Sequence, residues 1–502
     1  MRWCERGYRL APIQFSKDRF LFDEGPYSVL FYKVEDYEME QKMVQAYNLN
    51  EEKRIFYRKL FKVGFPVLIQ QIVSIGLNLV DTIMVGKVSE NALAAVGAAN
   101  QVYFIYSVVI FGIFSGASVY AVQYWGLRDL SSLRKILGID YLMCILVTIP
   151  TVIGAYLAAP QLIWLFSDEP EVISLGTDYI RIACFSYVFS SLSFVISFNS
   201  RSIQDLKLPT TINAVAIGIN IFLNYVLIYG KLGMPQLGVE GAAYATLTAR
   251  ILECFAMFAV IYLRKSHPLK AGFREMASFS RELFVSVMRT AVPVILTEAL
   301  WALSVSLMYM AFGKISASAL AVTQIAVTVT DFSQTIYFGV GNASAVIIGE
   351  VLGQGKKQVA WRHSKRILNI TWILNLVMTS VIILMRGPVA AIYEFDPATT
   401  DMLMKSLLVY GIFMTPKMLE YMMICGILRA GGDTVFCLYM DSGLNMLMQV
   451  PLAFIAVLVF GLPLHWAMVV ANISELIKSV WCYQRYYSKK WMNVVTDVEI
   501  EE

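Results

Sequence analysis

Three stretches of the chain, Asn91 to Leu127, Tyr141 to Ser167 and Leu208 to Gly230, contain no charged residue at all. Each exceeds the roughly 20 residues a helix needs to cross about 30 Å of hydrocarbon. They are apolar all round rather than alternating, which excludes a transmembrane β-barrel, whose strands switch between apolar and polar over about 10 positions. With 57% of the residues apolar and 16% charged, the chain also lacks the polar surface of a water-soluble protein of this size. The expected fold class is therefore all-α, a polytopic membrane protein.

About twelve spans follow Leu60, near residues 61–85, 96–124, 137–162, 177–199, 209–230, 240–263, 284–311, 319–348, 366–386, 403–427, 434–459 and 464–485. The connections on one side hold Arg128, Arg134, Lys135, Arg201, Lys207, Arg264, Lys265, Lys270, Arg274, Arg281, Lys356, Lys357, Arg362, Lys365, Arg366 and Arg429. The other side carries only Lys87, Lys231, Lys314 and Arg386, beside acidic Asp168, Glu169, Glu171, Glu394 and Asp396. The positive-inside rule puts the basic side and both termini in the cytoplasm of a multi-pass plasma-membrane protein. Residues 1–50 have charges throughout and no apolar run of signal-peptide length, so they read as a cytoplasmic tail.

Sliding the chain against itself by 227 positions reveals a duplication. Pro66 meets Pro293, Gly86-Lys87 meets Gly313-Lys314, Ala92-Leu93-Ala94 meets Ala319-Leu320-Ala321, and Phe111-Gly112 meets Phe338-Gly339. After a one-residue shift, Arg201 falls on Arg429, Asp205 on Asp433 and Pro235 on Pro463. Six spans per half is an even number, so both halves enter from the same side, as parallel repeats do. The expected organisation is a tail (1–50), an N-lobe of helices 1–6 (51–263), a basic linker (264–282), a C-lobe of helices 7–12 (283–487) and a C-terminal tail (488–502). Two pseudo-symmetric six-helix bundles around a cleft are an architecture of alternating-access transporters, although fold analogy alone does not decide function.

The stretches FPVLIQQIVSIGLNLVDTIMVGKV and LAAVGAANQV, followed by IGINIFLNYVLIYGKLGMPQLGVEGAAYAT and GILRAGGDT, resemble the multidrug and toxic compound extrusion family over roughly Leu60 to Tyr487. The resemblance implies two six-helix lobes and export of organic cations, drugs or other amphiphilic compounds in exchange for inward H⁺ or Na⁺. The alternative within the same superfamily is a flippase for lipid-linked precursors or polysaccharides.

Charged residues inside spans cost about 2.5 to 3.5 kcal/mol on insertion scales, so they face partners or a wet cavity. Asn220 and Asn224 are four apart and share a helix face, and the rise of about 1.5 Å per residue puts them at the depth of Asp81 and Thr246. Together these four oxygen-bearing side chains could hold a proton or ligate Na⁺. Alternatively, Asp81 is an interfacial carboxylate and the asparagines are interhelical glue. The family resemblance implies an N-lobe coupling site at Asp81, Asn220, Asn224 and Thr246.

Glu298 stands about 22 Å into the seventh helix, too deep to reach water at the near side. Proton, Na⁺ and cationic passenger would compete for its carboxylate, and the resemblance matches it to the family's seventh-span glutamate. Lys417 and Glu420, three apart, are expected to form a lateral pair and, with Glu298 and Asp331, the cation or substrate site of the C-lobe; Lys417 is a cation that puts Na⁺ coupling in doubt and would instead neutralise Glu420 or Glu298, or accept an anionic drug carboxylate. Asp331 has no acidic counterpart at Phe104 in the other half and adds to an acidic C-lobe, as does Asp441, which falls on Asn213. Na⁺ is thus expected, if anywhere, at Asp81 or Glu298. Arg250 with Glu253 and Glu475 with Lys478 read as self-neutralising structural pairs, and Arg201 and Arg429 as residues that set helix ends at the cytoplasmic turns.

No cofactor beyond the coupling ion is expected, and no nucleic-acid partner: the net charge is +4 and the basic residues lie in short clusters. The three histidines lie far apart and no nucleophile–base set or GxxxxGK[ST] loop occurs, so the chain reads as a transporter and not an enzyme. The expected partners are a small organic passenger and membrane lipid, with the chain a monomer.

Overall fold

The computed structural model describes residues 28–264, 266–393 and 395–496, with side chains described over 49–77, 80–264, 266–393 and 395–496. Most of the predicted N-terminal tail, and Lys265 and Glu394 of the charge bias, lie outside these limits. By contacts the chain divides into two units, Met1–Ile55 and Phe56–Glu502, and the second carries the membrane-spanning repeats beyond the start of the first helix.

Helix α1 is assigned over Ser28–Gly86. It is followed by α2 (Glu90–Leu127), α3 (Leu130–Leu157), α4 (Pro170–Ser202), α5 (Lys207–Tyr229), α6 (Gly238–Leu263), α7 (Arg281–Gly313), α8 (Ala317–Gly353), α9 (Lys357–Ile392), α10 (Pro397–Gly431), α11 (Thr434–Val459) and α12 (Leu464–Tyr487). Among the described residues, α1 to α11 are long and apolar enough to span a membrane. The twelfth is 24 residues long, and its apolar character is diluted by Glu475 and Lys478, which are buried inside the protein. Two six-helix repeats, α1–α6 and α7–α12, make up the fold.

Duplication extends to the caps. Ser89 starts α2 by accepting the Ala92 N–H at 3.0 Å, and Ser316, its counterpart 227 positions on, does the same for Ala319 at 3.0 Å. Such a hydroxyl satisfies an N–H that the helix itself leaves unpaired.

The repeats meet reciprocally. Gly112 and Gly116 of α2 lie flat against Ile295 and Ala291 of α7, while Gly339 of α8 lies against Gly64 and Leu68 of α1. A Cβ at Gly116 would overlap the Ala291 backbone, so only glycine permits this approach. Toward the basic face the lobes are also tied by polar contacts. Lys59 and Gln204 both donate to Glu350, at 2.6 and 2.7 Å, and Gln123 donates to the Ala430 carbonyl at 3.3 Å and accepts the Val495 N–H at 2.9 Å. Tyr120 likewise donates to the Ser286 carbonyl at 3.0 Å, so the lobes are closed against each other on the basic face.

Helices α10 and α11 depart from α geometry. Residues 424–428, 439–443, 445–449 and 455–459 adopt π-helical turns. Wider turns bring positions four apart closer to one face, which aligns Asp441, Asn445 and Gln449 along the lobe interface.

Candidate functional site

Between the lobes lies a cavity of about 650 Å³. Along α8 its lining runs from Thr323 to Gly349, about 39 Å at 1.5 Å per residue, so it traverses most of a bilayer's depth. Its walls are largely aromatic and apolar, with Phe104, Phe198, Trp301, Met308, Phe338 and Tyr421 among them. A cavity of that size and character accommodates a drug-sized amphiphile.

Five acids (Glu298, Asp331, Glu420, Asp441 and Glu475) and four bases (Arg201, Lys417, Arg429 and Lys478) line the same space. The acidic C-lobe expected from sequence is thus largely compensated from within. Arg429 Nη1 lies 3.1 Å from Glu298 Oε1 and 3.3 Å from Ser115 Oγ. Lys478 Nζ is 3.0 Å from Glu475 Oε2, 3.7 Å from Glu420 Oε1 and 3.0 Å from Asn445 Oδ1. Gln449 and Asn445 then donate to Glu475 and Asp441 at 3.3 and 3.5 Å.

Two expectations need correction here. Lys417 and Glu420 do not form the lateral pair that their spacing suggested. Glu420 turns to Lys478 on α12, while Lys417 has no carboxylate within 4 Å among the described residues. A three-residue spacing permits a contact on an isolated helix, but a fully buried acid takes the partner best shielded from water, and Lys478 is 2% exposed. Nor do Arg201 and Arg429 merely finish helices at a cytoplasmic turn. Both point into the cavity. Arg201 Nη1 donates to Asn342 Oδ1 at 2.5 Å and its guanidinium stacks 4.6 Å over Phe198, and Arg429 is only 6% exposed. Asp331, on the cavity wall, accepts from Gln334 at 3.0 Å.

In the N-lobe the structure brings Asp81, Asn220, Asn224 and Thr246 together. Asn224 Nδ2 donates to Asp81 Oδ1 at 2.7 Å and to Asn220 Oδ1 at 3.3 Å, and Asn220 donates to Thr246 Oγ1 at 3.3 Å. The Asn224 Oδ1 is buried without a partner, an acceptor left open beside the carboxylate. None of the four lines the large cavity, so this network is a separate site. The neighbouring Arg250 is held by Glu253 at 2.6 Å, the structural pair expected from sequence.

Sequence reasoning passed over Asp140, which is 1% exposed and accepts from Asn199 at 2.7 Å, tying α3 to α4. Its signal was available, a lone carboxylate in the apolar run ILGIDYLMCIL. The inward turn of the arginines had no such signal.

The MatE family profile matches residues 66–226 and 293–455, one segment in each repeat and more than half of the chain. A protein of Thermotoga maritima named probable multidrug resistance protein NorM is 24% identical over 465 residues, covering 90% of this chain and 97% of that protein. A crystal structure described as MATE in the bent conformation superposes with a TM-score of 0.79 at 20% identity, covering 87% of this chain and 96% of the other. A structure described as the outward-facing conformation of a multidrug resistance MATE family transporter gives 0.77 at 20% identity, covering 86% and 96%. These structural likenesses establish the fold.

Proposed function

The chain belongs to the MatE family of multidrug and toxic compound extrusion transporters, and we propose that it exports amphiphilic organic compounds by alternating access in exchange for inward H⁺ or Na⁺. The observation that carries this reading is the cavity of about 650 Å³, apolar-walled, studded with buried charges and shut on the basic face by contacts between the lobes. With the basic side in the cytoplasm, closure on that face supports reading this conformation as the outward-facing one, from which a passenger is released.

Two sites divide the work. The Asp81 network, outside the cavity and rich in neutral oxygen donors, takes the coupling ion, and Na⁺ would find one carboxylate, two amide oxygens and a hydroxyl there. Glu298 is ill suited to Na⁺, because the Arg429 guanidinium already neutralises it and repels a second cation. Its part is in the passenger site, where it exchanges its hold on Arg429 for a proton or a cationic group. If one monovalent cation leaves for each proton that enters, no net charge moves and the pH gradient alone drives export, about 1.4 kcal/mol per pH unit. A neutral or zwitterionic passenger adds the membrane potential, about 2.3 kcal/mol per 100 mV.

The test is efflux of a fluorescent amphiphile from proteoliposomes under imposed pH or sodium gradients. Wild type should show gradient-dependent efflux, and Asp81→Asn and Glu298→Gln should each lose at least about tenfold of it, the scale of one lost charge-assisted interaction. No gradient dependence in wild type would sink the exporter reading, and full efflux in both variants would sink the site assignment.

A further inference from the structure

The internal repeat permits a comparison within the molecule. Arg201 and Arg429 are repeat mates, and each reaches across the lobe interface to a matched position in the opposite repeat. Arg429 donates to Ser115, and Arg201 donates to Asn342, which lies 227 positions beyond Ser115. All four line the cavity. The correspondence breaks at the counter-ion. Arg429 is met by the carboxylate of Glu298 at 3.1 Å. The residue 227 positions before Glu298 is Gln71, which also lines the cavity but carries a neutral amide.

Arg201 is consequently an uncompensated cation. Among the described residues no carboxylate lies within 4 Å of it, and its Nε is buried without a hydrogen-bond partner. Its Nη1 is spent on the Asn342 amide and its ring-facing side on Phe198. A guanidinium held at this depth without a counter-ion is costly, and its planar fork is shaped for a carboxylate or phosphate. Elsewhere in the same chain Arg485 shows the fit, clasping Asp433 with Nε at 2.6 Å and Nη2 at 2.9 Å.

We infer that Arg201, bridged to Asn342 and with Gln71 at the repeat position of Glu298, binds an oxyanion group of the passenger, filling the place that the Glu298 carboxylate fills on Arg429 in the other repeat. The passenger class is an amphiphile bearing a carboxylate or phosphate, its anionic end toward the basic face and its body along the aromatic wall by Phe198 and Phe338. The inference rests on the exporter reading only for calling the ligand a passenger.

The probe is one xanthene dye in two forms, free carboxylate and methyl ester, titrated by fluorescence anisotropy onto the whole protein in nanodiscs. In wild type the carboxylate form should bind at least about tenfold more tightly than the ester, the scale of a hydrogen-bonded charge pair. Arg201→Gln should bring that ratio to within about twofold. Gln71→Glu, which leaves Arg201 and its bridge in place but supplies an internal carboxylate, should do the same. A ratio near one in wild type, or a ratio that survives Gln71→Glu, would overturn the proposal. Competition by an alkyl phosphate that is stronger than by the alkyl carboxylate of equal length would identify a lipid-like phosphate as the natural group, and the reverse order a carboxylate. Dye efflux from proteoliposomes is scored separately, so failure of transport counts against the exporter reading while the binding ratio still judges the anion site.

Discussion

Lys478 on α12 holds its ammonium 3.7 Å from Glu420 on α10, and the two side chains are 2% and 5% exposed. A second acid, Glu475, approaches the same ammonium to 3.0 Å and is 3% exposed. One cation therefore stands between two carboxylates at the cavity wall, with almost no surface of the three side chains exposed. Removing it leaves two buried acids with no counter-charge, a change that costs about 3 to 5 kcal/mol when a buried pair is broken. Lys478→Met should accordingly lower the unfolding midpoint in detergent, followed by tryptophan fluorescence. Combining it with Glu420→Gln and Glu475→Gln should restore most of the loss. A single variant as stable as wild type would show that the cluster does not hold α10 to α12.

The N-lobe network is a chain, and substitutions along it should be graded. Asn224 touches both Asp81 and Asn220, at 2.7 and 3.3 Å, whereas Thr246 is a terminal acceptor at 3.3 Å from Asn220. Asn224→Leu strips the carboxylate of its donor and should reduce gradient-driven efflux by about tenfold or more, the effect of losing a hydrogen bond to a charged group. Thr246→Val deletes one neutral contact and should cost less than about fivefold. Initial efflux rates against pH or sodium gradient measure both, and equal effects at the two positions would argue against a shared ion site.

These four residues were legible in the sequence because regular helix geometry does the placing: a spacing of four fixes the face and the rise per residue fixes the depth. The twelve helices and their duplication followed from run length and the 227-residue register in the same way. What was hidden depends on contacts remote in sequence. Glu298 and Arg429 are 131 positions apart, and nothing local says that an arginine at the end of α10 turns inward rather than toward water. The π turns of α11 were equally invisible, because they arise from tertiary packing, and they decide that Asp441, Asn445 and Gln449 share a face. Arg201 was misread for the same reason as Arg429, since its partner Asn342 lies in the opposite repeat.

The linker between the repeats should respond to pH. His267 is 6% exposed; its Nδ1 accepts the Leu269 N–H at 3.2 Å and its Nε2 lies 3.7 Å from Asp205. Burial lowers its proton affinity below the ordinary value near 6.5, with Asp205 opposing the shift and Arg264 adding to it. A base with a depressed folded pKa favours its neutral form, so the stabilisation is complete above the ordinary value and is lost as pH falls through and below it. Protonation also removes the acceptor that Leu269 uses. Proteolytic cleavage in the 266–280 segment should therefore speed up between about pH 7.5 and 5.5. His267→Asn, which cannot titrate, should cleave at the same rate at both pH values, and an unchanged pH response in that variant would exclude His267 as the cause.

The closure on the basic face rests on two glycines that are repeat mates. A Cβ on Gly126 would overlap the Glu350 carbonyl, and one on Gly353 would overlap the Gln123 carbonyl. In both cases the obstacle is backbone of the opposite lobe, which cannot swing aside as a long side chain does, so a larger residue must push the lobes apart. Gly126→Val and Gly353→Val should shift the resting population toward a state open on the basic face. Spin labels at the exposed Arg128 and Lys356 would report it as a longer distance distribution than in the parent protein. Gly97, whose Cβ position meets nothing within 4 Å, is the matched control, and Gly97→Val should leave the distribution in place. Because closed and open faces exchange in alternating access, the same two variants should also slow gradient-driven efflux, by penalising the state in which the passenger is released. Unchanged distances in both would mean that the lobes are held together by contacts other than the glycine approach, with the Gln123 and Glu350 hydrogen bonds the next candidates.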